Sequence, residues 1–189
     1  QYSTYNRSLI PALKKRGLKI ISEHESLSEE QKKFVDAYFE ENVYPVLTPM
    51  AMDSSRPFPL VRNKSLNIGA LIYDKKKGVT DIATVQVPSV LPRVIILPSE
   101  RQGMTEIILL EEVIEKNLDK LFLSYDIVCA HPYRIMRNAD FSIDEEETAD
   151  LLKEIEKQLK KRQWGEAIRL EVESGMDKRL LKIIKKELN

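Results

Sequence analysis

Hydrophobic positions in the first part of the chain recur at helical spacing. They predict one helix over residues 3–16 and a second that begins at Ser28 and continues to about residue 43. Gly17 is a C-terminal stop for the first helix, because glycine readily adopts the left-handed conformation in which helices end. Ser28 and Gln31 have the spacing of a capping box, which marks the start of the second helix. The pattern therefore predicts a short helical hairpin.

Beyond Val46 the hydrophobic positions alternate, and alternation is the period of a β-strand. The even positions of 66–72 are hydrophobic and form one face of a predicted strand. The turn sequence "DKKKG" at 74–78 is followed by a second strand over 81–87, which together predict a β-hairpin. The pattern further predicts strands over 93–97, 106–109, 126–138 and 168–172, and helices over 111–122, after Asp144, and over 177–188.

The mixture of helices, strands and at least one hairpin predicts an α+β fold. Its sheet is expected to be mixed and partly antiparallel with packed helices, because a doubly wound parallel sheet would have alternating strands and helices without hairpins. Ile168, Leu170 and Val172 alternate with charged residues and predict a half-exposed strand with these three side chains on one face. We expect the helical hairpin over 1–45 to belong to one domain and residues 46–189 to form the α+β domain.

Composition and charge exclude several classes of protein. The chain has 30 basic and 30 acidic residues, so its formal net charge is zero, and a nucleic-acid-binding protein would usually be basic. No hydrophobic run approaches the ~20 residues that a transmembrane helix needs. The single cysteine, Cys129, has hydrophobic neighbours, cannot form an internal disulfide, and is expected to be a core residue in a reducing compartment.

Common catalytic and metal-binding motifs are missing from the sequence. It contains no glycine-rich phosphate loop, no zinc-binding spacing and no nucleophile elbow. His24 lies in a polar connection and is expected at the surface, whereas His131 is either structural or a phosphate acceptor or proton carrier. The acidic run at 144–150 suits the first turn of a helix, where the helix dipole favours carboxylates. No catalytic residue and no metal ligand is predicted.

Two clusters of arginine and amide side chains are candidates for binding an anion. The clusters contain Arg56, Arg62, Asn63, Lys64 and Asn67 in the stretch that leads into the strand at 66–72, and Arg134, Arg137 and Asn138 in "YRIMRNAD". The planar arginine fork suits phosphate oxygens. Arg134 and Arg137 would point to opposite faces of a regular strand and reach one anion only across a bulge. The alternative interpretation is that these arginines form salt bridges with acidic residues of the same chain.

Several long segments, in the same order, resemble bacterial polyphosphate kinases. "YPVLTPMAMDSSRPFPLVRNKSLNIGALI" (44–72) resembles the opening of the family's head domain, and "NRSLIPALKKRGLKII" (6–21) resembles the end of its helical N-terminal domain. Similarity continues through "VQVPSVLPRVIILP" (85–98), "LLEEVIEKNLDKLF" (109–122) and the segment 133–176. The resemblance covers nearly the whole chain. Met136 departs from the family pattern, in which threonine is common at this position.

The resemblance implies an activity for a longer parent protein. Members of this family reversibly transfer the terminal phosphate of ATP to inorganic polyphosphate through a phosphohistidine. The reactive histidine and most contacts to ATP and Mg²⁺ belong to C-terminal domains that would follow residue 189. The resemblance thus implies a non-catalytic segment that binds no cofactor itself, and His131 lacks the context of the family's reactive histidine.

The resemblance also implies a fold and partners. The head domain is similar to a phosphohistidine-phosphatase-like α+β fold, contributes to a dimer or tetramer of the parent, and lines a polyphosphate tunnel. Candidate residues for the tunnel or for an interface are Arg56, Arg62, Asn63, Asn67, Arg134, Arg137 and Asn138. The expected location is the cytoplasm, with membrane association through the parent complex as an alternative. A second hypothesis is an autonomous anion- or phosphate-binding domain that uses His131 and Arg134.

Overall fold

A computed structural model describes residues 2–52, 58–99, 103–138 and 166–188. The chain forms two compact units, which are described separately. The first unit comprises residues 1–49 and 87–126, and the second comprises residues 50–86 and 127–189. The division into domains at 1–45 and 46–189 stays a prediction about the longer protein.

The first unit begins with a continuous helical segment. It consists of α1 (Tyr2–Thr4), a π-helical turn (Tyr5–Leu9) and α2 (Ile10–Lys15). The predicted stop is confirmed at Gly17, which has a φ of +81°. A Cβ at Gly17 would lie 2.4 Å from the carbonyl oxygen of Gly103, so a larger residue does not fit without movement of the backbone.

A three-stranded sheet follows this segment. Strand β1 (Leu18–Ile21) pairs in parallel with β6 (Thr105–Leu109), which pairs antiparallel with β5 (Val94–Ile96), giving the order β1-β6-β5. Strands β5 and β6 were predicted from their hydrophobic pattern, but β1 was not. Its four residues are too few to establish a period, and its partner strand is far away in sequence.

Helices of the first unit cover its hydrophobic core. A 3₁₀ turn (His24–Ser26) precedes α3 (Glu29–Tyr38), which continues into a π turn (Phe39–Val43) and a 3₁₀ turn (Tyr44–Val46). The helical spacing of hydrophobic residues predicts a buried stripe at Phe34, Val35, Tyr38, Phe39 and Val43. Val35, Phe39 and Val43 are fully buried, whereas Tyr38 is half-buried and Phe34 is 38% exposed. The predicted helix at 111–122 is also confirmed and consists of α4 (Leu110–Lys116) and α5 (Leu118–Leu121).

The second unit contains a five-stranded sheet. Its strands are β2 (Pro49–Met52), β3 (Leu66–Asp74), β4 (Val79–Gln86), β7 (Tyr125–Arg137) and β8 (Ala167–Val172), in the order β2-β4-β3-β7-β8. The predicted hairpin is confirmed, since β3 and β4 pair antiparallel from Asn67↔Gln86 to Asp74↔Val79. The Asp74 carboxylate closes the turn by accepting hydrogen bonds from the backbone N–H groups of Lys76 and Lys77 at 2.8 and 3.1 Å.

Strand β3 is buried on both faces. Ile68, Ala70 and Ile72 are buried, as expected for the hydrophobic face, while Leu66 at the start of the strand is half-buried. The alternate positions Asn67, Gly69 and Leu71 are buried as well. Leu71 packs in a hydrophobic core with Leu180 and Ile184 of the final helix, and the mixed character of the alternate residues does not reveal this second buried face.

Helix α6 (Lys178–Leu188) packs on one face of this sheet and confirms the predicted final helix. The core there consists of Val61, Leu71, Ile82, Tyr133, Ile135, Met176, Leu180 and Ile184. A Cβ at Gly69 would lie 3.2 Å from the ring of Tyr133, so glycine allows that ring to pack closely against β3. The Tyr133 hydroxyl lies 2.9 Å from the Thr84 hydroxyl and finds its polar partner inside the core.

Strand β8 forms as predicted, but the expected common face of Ile168, Leu170 and Val172 is wrong. Met136 pairs with Arg169 and Arg137 pairs with Ala167, so Ile168 is an additional residue in a β-bulge. Ala167 and Leu170 consequently pack against the core, whereas Ile168 is 61% exposed.

The structure confirms an α+β fold with mixed, partly antiparallel sheets and packed helices. Arg56, the acidic run at 144–150 and the predicted helix after Asp144 lie outside the described residues. None of the helices in the described ranges has the length and hydrophobicity required to span a bilayer.

Candidate functional site

The polar loop before β3, residues 61–65, is bound to the end of strand β7. The Lys64 N–H donates to the Ile135 carbonyl at 2.8 Å, and the Arg137 N–H donates to the Asn63 side-chain oxygen at 3.0 Å. The Arg137 guanidinium donates from Nε to the Val61 carbonyl at 3.2 Å. We call this arrangement the loop–β7 cluster. It brings Arg62 and Asn63, from one predicted anion-binding cluster, together with Arg137 from the other.

A tight turn shapes the loop. The Ser65 N–H and hydroxyl both donate to the Arg62 carbonyl, at 3.3 and 2.8 Å. Lys64 adopts the left-handed region with a φ of 62°, which is uncommon for a residue other than glycine. The Asn67 side chain is buried and donates to the Ser65 carbonyl and hydroxyl oxygens at 3.0 Å. Folding of the loop thus uses Asn63, Ser65 and Asn67.

The cationic side chains of the loop point into solvent. Arg62 and Lys64 are exposed, and neither forms an ion pair or side-chain hydrogen bond with another described residue. Arg137 is half-buried beside them and is held by Val61. The cluster therefore presents positive charge at one end of the sheet, on a backbone that its own hydrogen bonds hold in place.

Arg134 does not join the loop–β7 cluster. In the strand register it lies opposite Glu171 of β8. Arg134 and Arg137 are three residues apart, so their side chains point to opposite faces of β7. A bulge in β7 could have turned both arginines to one face, but the bulge lies in β8. Successive side chains of β7 therefore continue to point to alternate faces. The Nε–H group of Arg134 is buried and has no hydrogen-bond partner among the residues that the structure describes. An unpaired buried donor is unfavourable and marks a position where an acceptor would be stabilising.

The candidate Asn138 and its neighbour Met136, where the family pattern has threonine, occupy different environments. Asn138 is exposed, and its backbone N–H donates to the Glu166 carbonyl at 2.8 Å beyond the end of β7. Met136 is half-buried on β7 and pairs with Arg169.

Both histidines are half-buried and have environments that the sequence did not indicate. His131 Nδ1 lies 2.9 Å from the Glu173 carboxylate, which comes from a residue 42 positions later. His24, in the 3₁₀ turn His24–Ser26, is less exposed than expected, and its buried Nε2 atom has no hydrogen-bond partner in the described part of the chain. This burial lowers the pKa of His24, since the charged imidazolium loses more hydration than the neutral ring.

Cys129 packs against the hydrophobic core of the second unit. It is half-buried, and this desolvation raises the pKa of its thiol, so the unreactive neutral form is favoured. Within the described ranges, no cluster of three or more His, Cys, Asp or Glu side chains has an arrangement suited to a metal ion.

The first unit contains a polar pocket that the sequence did not indicate. It has a volume of about 200 Å³ and is lined by Lys19, Ser26, Ser28, Glu30, Gln31, Pro98 and Glu106. The Gln31 side chain closes the capping box with Ser28 and donates to the buried Glu106 carboxylate at 2.7 Å. Lys19 donates to the other oxygen of Glu106 at 2.8 Å. The only sequence signal for it is an acidic residue within the hydrophobic strand β6.

Comparisons with known proteins identify one family. A model of the polyphosphate kinase middle domain matches residues 30–189. The polyphosphate kinase of Bacillus anthracis is 47% identical over 189 residues, which is 97% of this chain and 27% of that protein. The polyphosphate kinase of Lactiplantibacillus plantarum is 48% identical over 181 residues, covering 94% of this chain and 24% of that protein.

A solved structure supports the same fold. The crystal structure of polyphosphate kinase from Porphyromonas gingivalis matches with a TM-score of 0.76 at 20% sequence identity. The match covers 98% of this chain and 26% of that one. The chain thus spans about a quarter of the length of these curated relatives.

Proposed function

Because the chain belongs to the polyphosphate kinase family and matches its middle domain, we propose that it is one part of a longer phosphotransferase. The parent enzyme transfers the terminal phosphate of ATP reversibly to inorganic polyphosphate, through a phosphohistidine outside these residues. ATP and Mg²⁺ bind to other domains of the parent, which is a cytoplasmic dimer or tetramer. In this proposal the present chain contributes a surface for polyphosphate and contacts for assembly.

The main support for this role is the loop–β7 cluster. The fold itself uses Asn63, Ser65 and Asn67, but it does not use the exposed charges of Arg62 and Lys64. Arginine binds phosphate oxygens through a planar fork, and a rigid loop loses little conformational entropy when an anion binds. These properties suit a wall beside a chain of phosphate groups.

Replacing Arg62 tests the proposal. Arg62→Ala should leave the thermal stability of the 189-residue chain nearly unchanged, within about 0.5 kcal/mol, because the side chain is exposed. In the full-length parent the same change should lower polymer synthesis or the fraction of assembled protein in sedimentation. Ile68→Ala is the folding control and should cost about 2–5 kcal/mol, since Ile68 is fully buried.

The results separate the roles of the loop. A loss of stability in Arg62→Ala as large as in Ile68→Ala would assign the loop to folding alone. Normal synthesis and normal assembly in the parent would reduce the loop to a solvated turn.

The environment of Arg134 favours a contact between this residue and a neighbouring part of the assembly. Its buried Nε–H group lacks an acceptor within the described ranges, and another domain or a second copy can supply a carbonyl or carboxylate oxygen. Arg134→Met removes this donor while keeping a long side chain of similar shape. We expect this variant to lower assembly of the parent more than stability of the 189-residue chain.

The alternative function, an autonomous anion-binding domain, would use His131 and Arg134 together. Their odd spacing on β7 directs them to opposite faces of the strand, and His131 already contacts the Glu173 carboxylate. A carboxylate beside the imidazole repels an incoming phosphate. Transfer of labelled phosphate from ATP to the 189-residue chain, lost in His131→Gln, would favour this alternative over the scaffold role.

A further inference from the structure

Helix α6 carries a one-sided row of basic residues. The five positions Lys178, Arg179, Lys182, Lys185 and Lys186 are all exposed. With 3.6 residues per turn they lie within an arc of about 120°, and the row is roughly 12 Å long. Leu180 and Ile184 are fully buried on the opposite side, in the core beneath the helix. We call these five residues the α6 basic face.

The positive charge of this face is local and largely unpaired. Glu187 is the only acidic residue of the helix, whereas the whole chain has a net charge of zero. Arg179 pairs with Asp177 at 2.8 Å, and its hydrogen bonds hold the pKa of the Asp177 carboxyl well below its usual range. The four lysines form no ion pair with any other residue in the part of the chain that the structure describes.

Helix stability does not explain this arrangement. Lys178 and Lys182, and again Lys182 and Lys186, are four residues apart, a spacing at which like charges repel and destabilise a helix. Lys178 also lies in the first turn, where the helix dipole disfavours a cation. The dipole accounts only for Lys185 and Lys186 in the last turn. A helix selected for stability would carry glutamate at one or more of the other positions.

We propose that the α6 basic face binds the polyphosphate chain as a surface additional to the loop–β7 cluster. A linear polyanion repeats its charge along its length, so separate ammonium groups in a row attract it without a closed pocket. Lysine suits this contact because its ammonium group is a point charge and binds an anion without a required planar orientation. The inference rests on the proposed function, which supplies polyphosphate as the polyanion.

The packing of α6 disfavours a lipid surface as the partner. A helix that lies on a membrane inserts hydrophobic side chains beside its cations. Here Leu180 and Ile184 are buried in the protein core, and Leu181, Ile183 and Leu188 are partly buried against it. Only the charged side of the helix is available, so the face contacts a partner through electrostatic attraction and does not insert into a bilayer.

The first test removes three charges from the full-length parent. In K182Q/K185Q/K186Q, the dissociation constant for polyphosphate of one defined length should rise about 10- to 100-fold near 0.1 M salt, and the slope of log affinity against log salt should shrink by about 2. The control K14Q/K15Q/K33Q removes three exposed lysines of the first unit and should bind as the unchanged protein does. The triple Lys→Arg variant at 182, 185 and 186 should retain binding.

A second variant separates binding from folding. K182E replaces two repulsive pairs by attractive ones, with Lys178 and Lys186, so it should raise the melting temperature while it weakens polyphosphate binding. K14E makes the same change of charge in the first unit and should leave binding unchanged. A residue with a purely structural role would not move these two readouts in opposite directions.

The outcomes distinguish this inference from the proposed function. A parent that makes polymer, but whose 182/185/186 Gln variant binds like the control, overturns the α6 basic face alone. The same follows if that variant loses assembly with binding intact, or if the face binds phosphatidylserine vesicles or single-stranded RNA but not polyphosphate. A parent that neither makes nor binds polyphosphate overturns both.

Discussion

At the residue scale, Tyr133 combines packing with a buried polar group. The side chain is 1% exposed, and its ring lies so close to Gly69 that a Cβ there would be 3.2 Å from the ring, tighter than an ordinary contact. Its hydroxyl reaches Thr84 on β4 at 2.9 Å, so one bond joins two strands that are not neighbours in the sheet. A buried tyrosine hydroxyl needs such a partner, because it has lost its hydrogen bonds to water.

Replacing this tyrosine tests the value of the bond. Tyr133→Phe keeps the ring but leaves the Thr84 hydroxyl without its partner, and we expect a loss of about 1–3 kcal/mol in the free energy of unfolding. Urea denaturation of the 189-residue chain measures it. Tyr73→Phe is the matched control, because Tyr73 is 38% exposed and should cost little. An equal effect in both variants would contradict the assignment.

Tyr133 also makes the free energy of unfolding decrease at high pH. Burial raises the pKa of Tyr133 to about 12, above the ordinary value of 10.0. The unfolded chain releases this proton first, so the contribution is complete below pH 10 and decreases as the pH rises towards 12. The expected slope is about 1.4 kcal/mol per pH unit in this window. Tyr133→Phe should lack this component, and equal slopes in both proteins would contradict the prediction.

At the element scale, the end of α2 depends on a single conformation. Gly17 has a φ of +81°, and the Thr105 N–H donates to its carbonyl at 2.6 Å, which joins the helix end to the start of β6. The left-handed turn therefore directs the chain into β1 in register with its parallel partner.

Gly17→Ala should destabilise the 189-residue chain by more than about 1 kcal/mol, because alanine is strained at positive φ. Its Cβ would also lie 2.4 Å from the Gly103 carbonyl oxygen. Gly175→Ala is the control, since a Cβ at Gly175 has no neighbour within 4 Å. Thermal melts compare the two variants, and a melting temperature of Gly17→Ala at or above that of Gly175→Ala would refute the argument.

At the scale of the whole molecule, the equal numbers of acidic and basic residues limit the long-range attraction of an anion such as polyphosphate. The net charge is zero, so only local clusters such as the loop–β7 cluster and the α6 basic face attract an anion. Exposed charges are screened beyond about 8 Å at physiological ionic strength.

The 189-residue chain alone should therefore bind polyphosphate weakly, and the affinity should fall steeply as salt is raised. Titration at two or more salt concentrations measures this dependence. Tight binding that does not change with salt would indicate a buried, preformed site instead of the two exposed surfaces.

The sequence by itself determined the elements whose signals are local. The capping box of Ser28 and Gln31 forms because both partners lie within one helical turn. The β3–β4 hairpin forms around the Asp74 turn, and the spacing of Leu180 and Ile184 defines the buried side of α6. The long ordered resemblance also identified the family, which the match to residues 30–189 confirmed.

Tertiary structure decided the features that join distant residues. Strand β1 acquires its identity from pairing with β6, and Gln31 meets Glu106 although the two lie 75 positions apart. The bulge at Ile168 exposes a side chain that alternation alone would place beside Leu170. Arg137 contacts Asn63, and does not share a site with Arg134, because the loop before β3 packs on the end of β7. Such pairings depend on strand register and on competing long-range contacts, and neither is encoded in the spacing of neighbouring residues.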